Sequence, residues 1–311
     1  MKNEKYLEII PGTIPTNQLH AYLLAGVAPR PIAFASTIDI VNRPNLAPFS
    51  FFNVFGSNPP VAIFSPARRV RDNTTKHTLE NIHEVPEVVI NAVNYAMVNQ
   101  CSLASTDYPK GVNEFLKAGL TPIPSDLVRP FGVAESPFRM ECKVKEVIKT
   151  GLEGGAGNLI ICEVLKIHIK KEVLGENNQI DQNKIDLVAR LGKDWYCRAS
   201  GPALFEVEKP IERLGIGIDA LPDSVKSSSV LTGNELARFG NLEQLPSSEE
   251  IDEFIRNERI VELAKIIQWT PGALIVRAHE AARLLLNLNE TRDALILLMA
   301  TEHFQNSPLV S

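Results

Sequence analysis

Two stretches joined by a glycine-rich turn constrain this chain most. Phe138, Met140, Cys142 and Val144 alternate with Arg139, Glu141, Lys143 and Lys145. A period of two puts one face of a strand in a core and the other in water. GLEGGAG at 151–157 then reverses the chain, and 159–169 returns as an apolar run, so the pair reads as a long hairpin. Gly155-x-Gly157 fails as a dinucleotide-binding turn, because that fingerprint needs a helix after the glycines and here a strand follows.

The remaining elements are short. Strands are predicted at 32–38, 46–55, 61–65 and 87–93. Turns fall at Asn42–Asn45 and Asn58–Pro60, where Asn and Pro favour reversal. Thr16 is placed to cap a helix over Asn17–Leu24 that ends at Gly26. Further helices are expected over 78–84, 95–104 and 113–118, the last closed by Gly119. Residues 121–137 hold four prolines and read as a surface connection. Many short strands with short helices and no βαβ rhythm predict a mainly β chain, a closed antiparallel barrel with helical additions.

From about residue 215 the character changes. Pro246-Ser247-Ser248-Glu249-Glu250 is a helix start, with hydroxyl caps and acids in the first turn. Ile251, Phe254, Ile255, Ile260, Leu263, Ile266 and Ile267 recur at near-helical spacing. Thr270-Pro271-Gly272 breaks the chain, and 273–302 resumes as helix. The expected division is therefore a barrel domain over 1–215, then a linker and α-helical extension over 216–311, whose expected role is packing against the barrel or a partner subunit.

Several function classes lose support. A net charge of −5 with no run of Lys and Arg argues against nucleic acid as a main partner. No apolar run approaches the roughly 20 residues of a membrane helix. MKNEKYLEII lacks the apolar core of a secretory signal. Cys101, Cys142, Cys162 and Cys197 form no Cys-x-x-Cys pair, which speaks against zinc and dithiol chemistry and fits a reducing cytoplasm. The histidines lack metal-ligand spacing, and there is no Gly-x-Ser-x-Gly.

Two segments suit a ligand. In Pro29–Phe52, Ser36 and Thr37 end one strand, and Asn45, Ala47, Phe49 and Ser50 lie on its return. Hydroxyls, backbone groups and aromatic faces there suit a flat, partly polar, anionic molecule. In 71–78, Arg71, Lys76 and Thr78 precede or open a helix, where unpaired N–H groups and the macrodipole favour an anion.

PRPIAFAST (29–37), NLAPFSFF (45–52) and KHTLENI (76–82), in that order and followed by Arg190-Leu191-Gly192 with Trp195 and Tyr196, resemble the flavin reductase family with the FMN-binding split β-barrel, which includes flavoredoxin. The resemblance runs to about Pro210. It implies FMN, with ring and ribityl chain at Ser36, Thr37, Asn45, Ala47, Phe49 and Ser50, largely through backbone amides. It implies phosphate at Lys76 and Thr78, beside the Arg71 charge of the same segment, although His77 stands where the family's Lys-Asp-Thr has aspartate. NAD(P)H as donor, an acceptor such as a monooxygenase, and a homodimer are further implications, and no catalytic side chain is required. Arg190–Tyr196 is expected near the flavin or the dimer interface. A flavoredoxin-like electron carrier, or a barrel acting through its helices as an interaction module, are the alternatives.

Overall fold

The computed structural model describes residues 5–207, 214–256 and 274–305 and divides into two compact units, Met1–Phe205 and Glu206–Ser311. In the first, strands β1 (Ala33–Ile38), β2 (Pro44–Phe49), β3 (Phe52–Ser57), β4 (Pro60–Phe64) and β5 (Glu87–Asn91) are followed by two-residue strands β6 (Pro122–Ile123) and β7 (Gly132–Val133). The long hairpin is β8 (Phe138–Lys149) and β9 (Asn158–Ile169), and β10 (Val188–Arg190) and β11 (Tyr196–Arg198) make a small ladder. Seven strands form one sheet in the order β2-β1-β5-β8-β9-β4-β3, and every neighbouring pair is antiparallel.

The stretch expected as one strand over 46–55 is two. The chain leaves β2 at Phe49 and enters β3 at Phe52, yet these are opposite edges of the sheet. Seven flat strands would put those edges about 29 Å apart, whereas three Cα steps span at most about 11 Å. The sheet therefore rolls until its edges approach at Ser50-Phe51. It does not close: among the described residues no ladder joins β2 to β3, which corrects the expected closed barrel.

The open seam has a local cause. Thr37, Ala35 and Ala33 of β1 pair with Asn45, Ala47 and Phe49, while the Leu46 N–H points away from β1 and donates to Glu114 Oε2 at 3.0 Å. Alternation along the strand places Pro44 and Pro48 on the same outward side as Leu46, and proline has no N–H to give. The outer edge of β2 thus has two positions without a donor and a third already bonded. Pro48 does lie on an edge strand, as proline in a sheet requires.

The rolled sheet encloses Ala33, Ala35, Phe49, Phe64, Ile90, Cys142 and Ile160, and helix α1 (Thr16–Gly26) precedes it in the chain. Leu79 and Ile82 of α2 (His77–Glu84) belong to that core. The other face of β1 buries Phe34 with Leu46, Met97, Cys101 and Phe115, from the 95–103 turn and helix and from α4 (Glu114–Ala118). Three local expectations change. Thr16 is the first residue of α1 and Pro15 its uncapped N-cap. Residues 95–104 split into a 3₁₀ turn, Tyr95–Met97, and α3 (Val98–Leu103). The 121–137 connection carries the β6–β7 ladder and a fully buried Val133.

The second unit is helical: Asp223–Lys226, Gly233–Gly240, Ser248–Arg256, Leu274–Asn287 and Thr291–Gln305. Thr232 and Glu235 cap one another reciprocally, and Ser247 and Glu250 do the same at the predicted helix start. Phe239, Ala282, Leu286, Leu295 and Leu298 centre its core. Ile260, Leu263, Ile266, Ile267 and the break at Thr270-Pro271-Gly272 lie outside the described residues. No described helix is long and apolar enough to cross a membrane.

Candidate functional site

The β1–β2 register places Thr37 directly opposite Asn45, so both side chains leave the same face. Asn45 Nδ2 donates to Thr37 Oγ1 at 3.4 Å and to Thr78 Oγ1 at 3.0 Å. Asn81 Nδ2 donates to Thr37 Oγ1 at 3.2 Å. Thr37, Asn45, Thr78 and Asn81 are all buried, and together they lock the start of α2 onto the ends of β1 and β2. Ser36, one residue from Thr37, is fully buried, and among the described residues its Oγ has no hydrogen-bond partner. A buried unsatisfied hydroxyl is costly, and it lies on the strand read as a ligand wall.

Other members of the predicted wall behave differently. Ala47 is half-buried. The Phe49 ring is core, 5.5 Å from the Phe64 ring centroid. The neighbouring Phe51 is exposed and meets His20 edge-on at 6.1 Å. The expectation of backbone-amide contacts does not fit the β2 register, because the Asn45, Ala47 and Phe49 amides face β1. The open edge of β2 offers carbonyl oxygens, which accept rather than donate.

Arg71 and Lys76 are brought together by a residue that the sequence reading missed. Asp107 accepts from Arg69 at 2.9 Å, Arg71 at 2.8 Å and Lys76 at 3.0 Å. These partners, Arg69 foremost, hold its carboxyl well below the usual carboxylate range. Thr74 and Arg71 together bring Asp72 down to about 2. Three cations thus stand against two carboxylates, and the cluster keeps a positive excess. It opens onto a cleft of about 580 Å³ lined by Arg68, Thr75, His77 and Tyr108 among others. Burial lowers the His77 pKa, so this residue adds no charge near neutral pH. Lys76 is the N-cap of α2, and no side chain caps that end. The Lys76 ammonium faces Asp107 while the Thr78 hydroxyl faces Asn45. The predicted phosphate trio is therefore divided between the basic cluster and the buried network.

Ser50 belongs to another cavity, of about 450 Å³, with Pro48, Ser102, Arg190 and Tyr196 on its wall. Its Oγ accepts from Arg30 Nε at 3.3 Å. The Arg190–Tyr196 segment thus meets the end of β2. Asp126, Glu141 and His168 also gather closely enough to hold a cation. The Glu141 oxygens, however, accept the amides of Asp126 at 2.9 Å and Leu127 at 2.6 Å, along with His168 Nε2 at 2.6 Å. Asp126 in turn pairs with Lys166. This group fastens the 121–137 connection to the long hairpin.

Known proteins match the part of the chain that carries these features. An uncharacterized protein of Aquifex aeolicus is 33% identical over 201 residues, covering 65% of this chain and 100% of that protein. A second, from Halalkalibacterium halodurans, is 33% identical over 206 residues, 66% of this chain and 97% of that one. Nitrilotriacetate monooxygenase component B from Bacillus cereus matches in structure with a TM-score of 0.60 at 27% identity, covering 65% of this chain and 98% of that one. Flavoredoxin of Desulfovibrio vulgaris shares the fold, with a TM-score of 0.52 at 22% identity over 66% of this chain and 98% of that one. The model of the flavin reductase like domain matches residues 25–185, more than half of the chain and the span that holds β1, β2, α2 and the basic cluster. The chain belongs to the flavin reductase like domain family.

Proposed function

We propose that this protein is an FMN-binding oxidoreductase that takes hydride from NAD(P)H and passes electrons to an acceptor. The observation that carries this reading is the basic cluster at the uncapped start of α2, adjoining the buried network on β1 and β2. A phosphate monoester fits that place: Arg71 and Lys76 both have N–H groups beyond those given to carboxylates, the local charge is in excess, and a helix N-terminus favours anions. Thr78 adds a hydroxyl proton, since Asn45 uses only its lone pair. The ring and ribityl wall read at Ser36, Thr37, Asn45, Ala47, Phe49 and Ser50 belongs to the same proposal, and its support is Thr37, Asn45 and Ala47, which share one face of β1 and β2; Ser36 leaves the opposite face of β1, and Ser50 lines the second cavity. There the carbonyls on the open edge of β2 would accept from ligand N–H and O–H groups.

When bound, the flavin itself supplies the hydride and electron chemistry. The protein's task is to hold it and to exclude water, and none of the residues above serves as a nucleophile. The Bacillus cereus protein of similar structure is named as component B of a nitrilotriacetate monooxygenase, and a partner monooxygenase is the acceptor we favour. A homodimer belongs to the same reading: β3, the other open edge, exposes Val54 and Phe55, an apolar edge that a second copy would cover.

The test begins with the absorbance spectrum of the purified protein, before and after FMN addition and desalting. Flavin bands that survive desalting support the reading. NAD(P)H oxidation then separates a reductase from a carrier, which turns over slowly. Lys76→Ala with Thr78→Ala is expected to weaken FMN severalfold, with riboflavin, which lacks the phosphate, affected less and the circular dichroism unchanged. Equal FMN affinity in the double variant would remove the phosphate assignment.

A further inference from the structure

Arg30 and Arg190 face one another across an antiparallel bridge, each backbone N–H donating to the other's carbonyl at 2.9 Å. Residues so paired project to the same side, and like charges directly opposite destabilise the pair. Arg30 is 6% exposed. The four hydrogen bonds it donates all go to neutral acceptors: the carbonyls of Leu24, Val27 and Leu191, and the Ser50 hydroxyl. Burial and the nearby Arg190 charge both lower its pKa. The Arg190 guanidinium lies 4.5 Å from the centroid of the Tyr196 ring. Among the described residues it has neither a hydrogen-bond acceptor nor a carboxylate within ion-pair distance. A buried and a half-buried guanidinium group therefore share one side of a bridge, and among the described residues neither has a carboxylate within ion-pair distance.

The unmet charge faces a built space. Arg190 and Tyr196 wall the 450 Å³ cavity with Ile32, Pro48, Ser50 and Ser102. Ser50 accepts from Arg30, which leaves its own proton to donate inward. Asp194, an exposed residue, also lines this space, and the buried Cys101 thiol, pushed up to about 12, stays neutral. A planar guanidinium backed by a ring and flanked by two hydroxyls is suited to an oxyanion, with which it forms charge-assisted hydrogen bonds.

We propose that this cavity is an oxyanion site, in which Arg190 and the hydroxyls of Ser50 and Ser102 hold a carboxylate or phosphate group of the second substrate. The anion site stands on its own geometry, and its part in a reaction rests on the flavin reading above. Two sources share the chemistry: the diphosphate of the dinucleotide donor, or the carboxylate of an acceptor.

The test is calorimetric titration of the full chain with sodium pyrophosphate and, separately, sodium benzoate. Four proteins are compared: wild type, Arg190→Gln, Arg190→Lys, and the Lys76→Ala/Thr78→Ala double variant, with FMN retention measured in parallel. Saturable binding of either anion to wild type is expected. It should weaken roughly tenfold or more in Arg190→Gln, recover in part in Arg190→Lys, and persist in the double variant. Preference for pyrophosphate assigns the site to the donor, and preference for benzoate to an acceptor. Arg190→Gln removes one of two opposed like charges, so its melting temperature should equal or exceed wild type, which keeps the variant interpretable. No saturable binding to wild type, binding unchanged in Arg190→Gln, or binding lost only in the double variant would each overturn the proposal. Loss of FMN retention by wild type would overturn the flavin reading and leave the anion result standing.

Discussion

Glu114 shows how one buried carboxylate shapes the open seam. It is 5% exposed, and it accepts the Leu46 N–H that an adjacent strand would otherwise take. Burial raises its pKa above the ordinary value of 4.5, with the Leu46 amide opposing the shift. The folded state therefore holds this proton more tightly than the unfolded state. By linkage, stability falls as pH rises from the unfolded pKa through the folded one, and the full cost of the buried charge is present above both. Glu114→Gln keeps an acceptor for Leu46 and removes the charge. Its melting temperature at about pH 7 is expected to exceed wild type by roughly 2 °C or more, with the gap closing towards about pH 4. Glu114→Ala instead leaves the Leu46 N–H without an acceptor, which costs about 1–3 kcal/mol. Thermal melts of both variants across that pH range check the assignment. A Gln variant that melts below wild type at neutral pH would show that the carboxylate, not just an acceptor, is needed at the seam.

At the scale of elements, α2 is held from two sides. Ile82 and Leu79 enter the core of the rolled sheet, and Thr78 and Asn81 bond to Asn45 and Thr37. Ile82, 2% exposed, is expected to cost about 2–5 kcal/mol when cut to alanine. Leu116, 77% exposed on α4, should change stability by no more than about 0.5 kcal/mol on the same substitution. Urea midpoints of the two variants make the comparison, and equal losses would mean that α2 is not anchored through Ile82. This helix was legible because KHTLENI places its apolar residues three apart, and β8–β9 was legible because alternation and a glycine turn mark a hairpin without outside help. The division of β2 from β3 was hidden, since Ser50, a weak turn former, stands alone among Phe49, Phe51 and Phe52 with no Gly, Asn or Asp beside it. The seam itself depends on a carboxylate 68 residues from Leu46. The site was half visible for the same reason. Lys76, Thr78 and Asn45 announce themselves beside a turn or a helix start, but Asp107, 31 residues from Lys76, sits in irregular backbone after α3 with no periodic signal. Arg30 and Arg190 became a pair only once a bridge set them opposite one another.

At the scale of the whole molecule, each hydrophobic core is made within one unit. Both clusters of the β unit draw their buried residues from 32–188, and the helical cluster draws its own from 221–298. A relative of Aquifex aeolicus is matched along 100% of its length by 201 residues of this chain, so a protein of this family exists without a counterpart to the remaining third. Separate cores predict separate cooperativity, because two-state unfolding belongs to a single core rather than to a chain. The full-length protein should show two calorimetric transitions, and a fragment ending at Phe205 should retain one of them with its near-ultraviolet circular dichroism. Added FMN should raise the transition that the fragment shares, since a ligand stabilises only the unit that binds it. It should leave the other unmoved. A fragment that loses fixed aromatic signals would show that the sheet requires the helices to fold. A fragment that folds yet gains no stability from FMN, while the full chain does, would place part of the flavin's binding free energy on the helical unit.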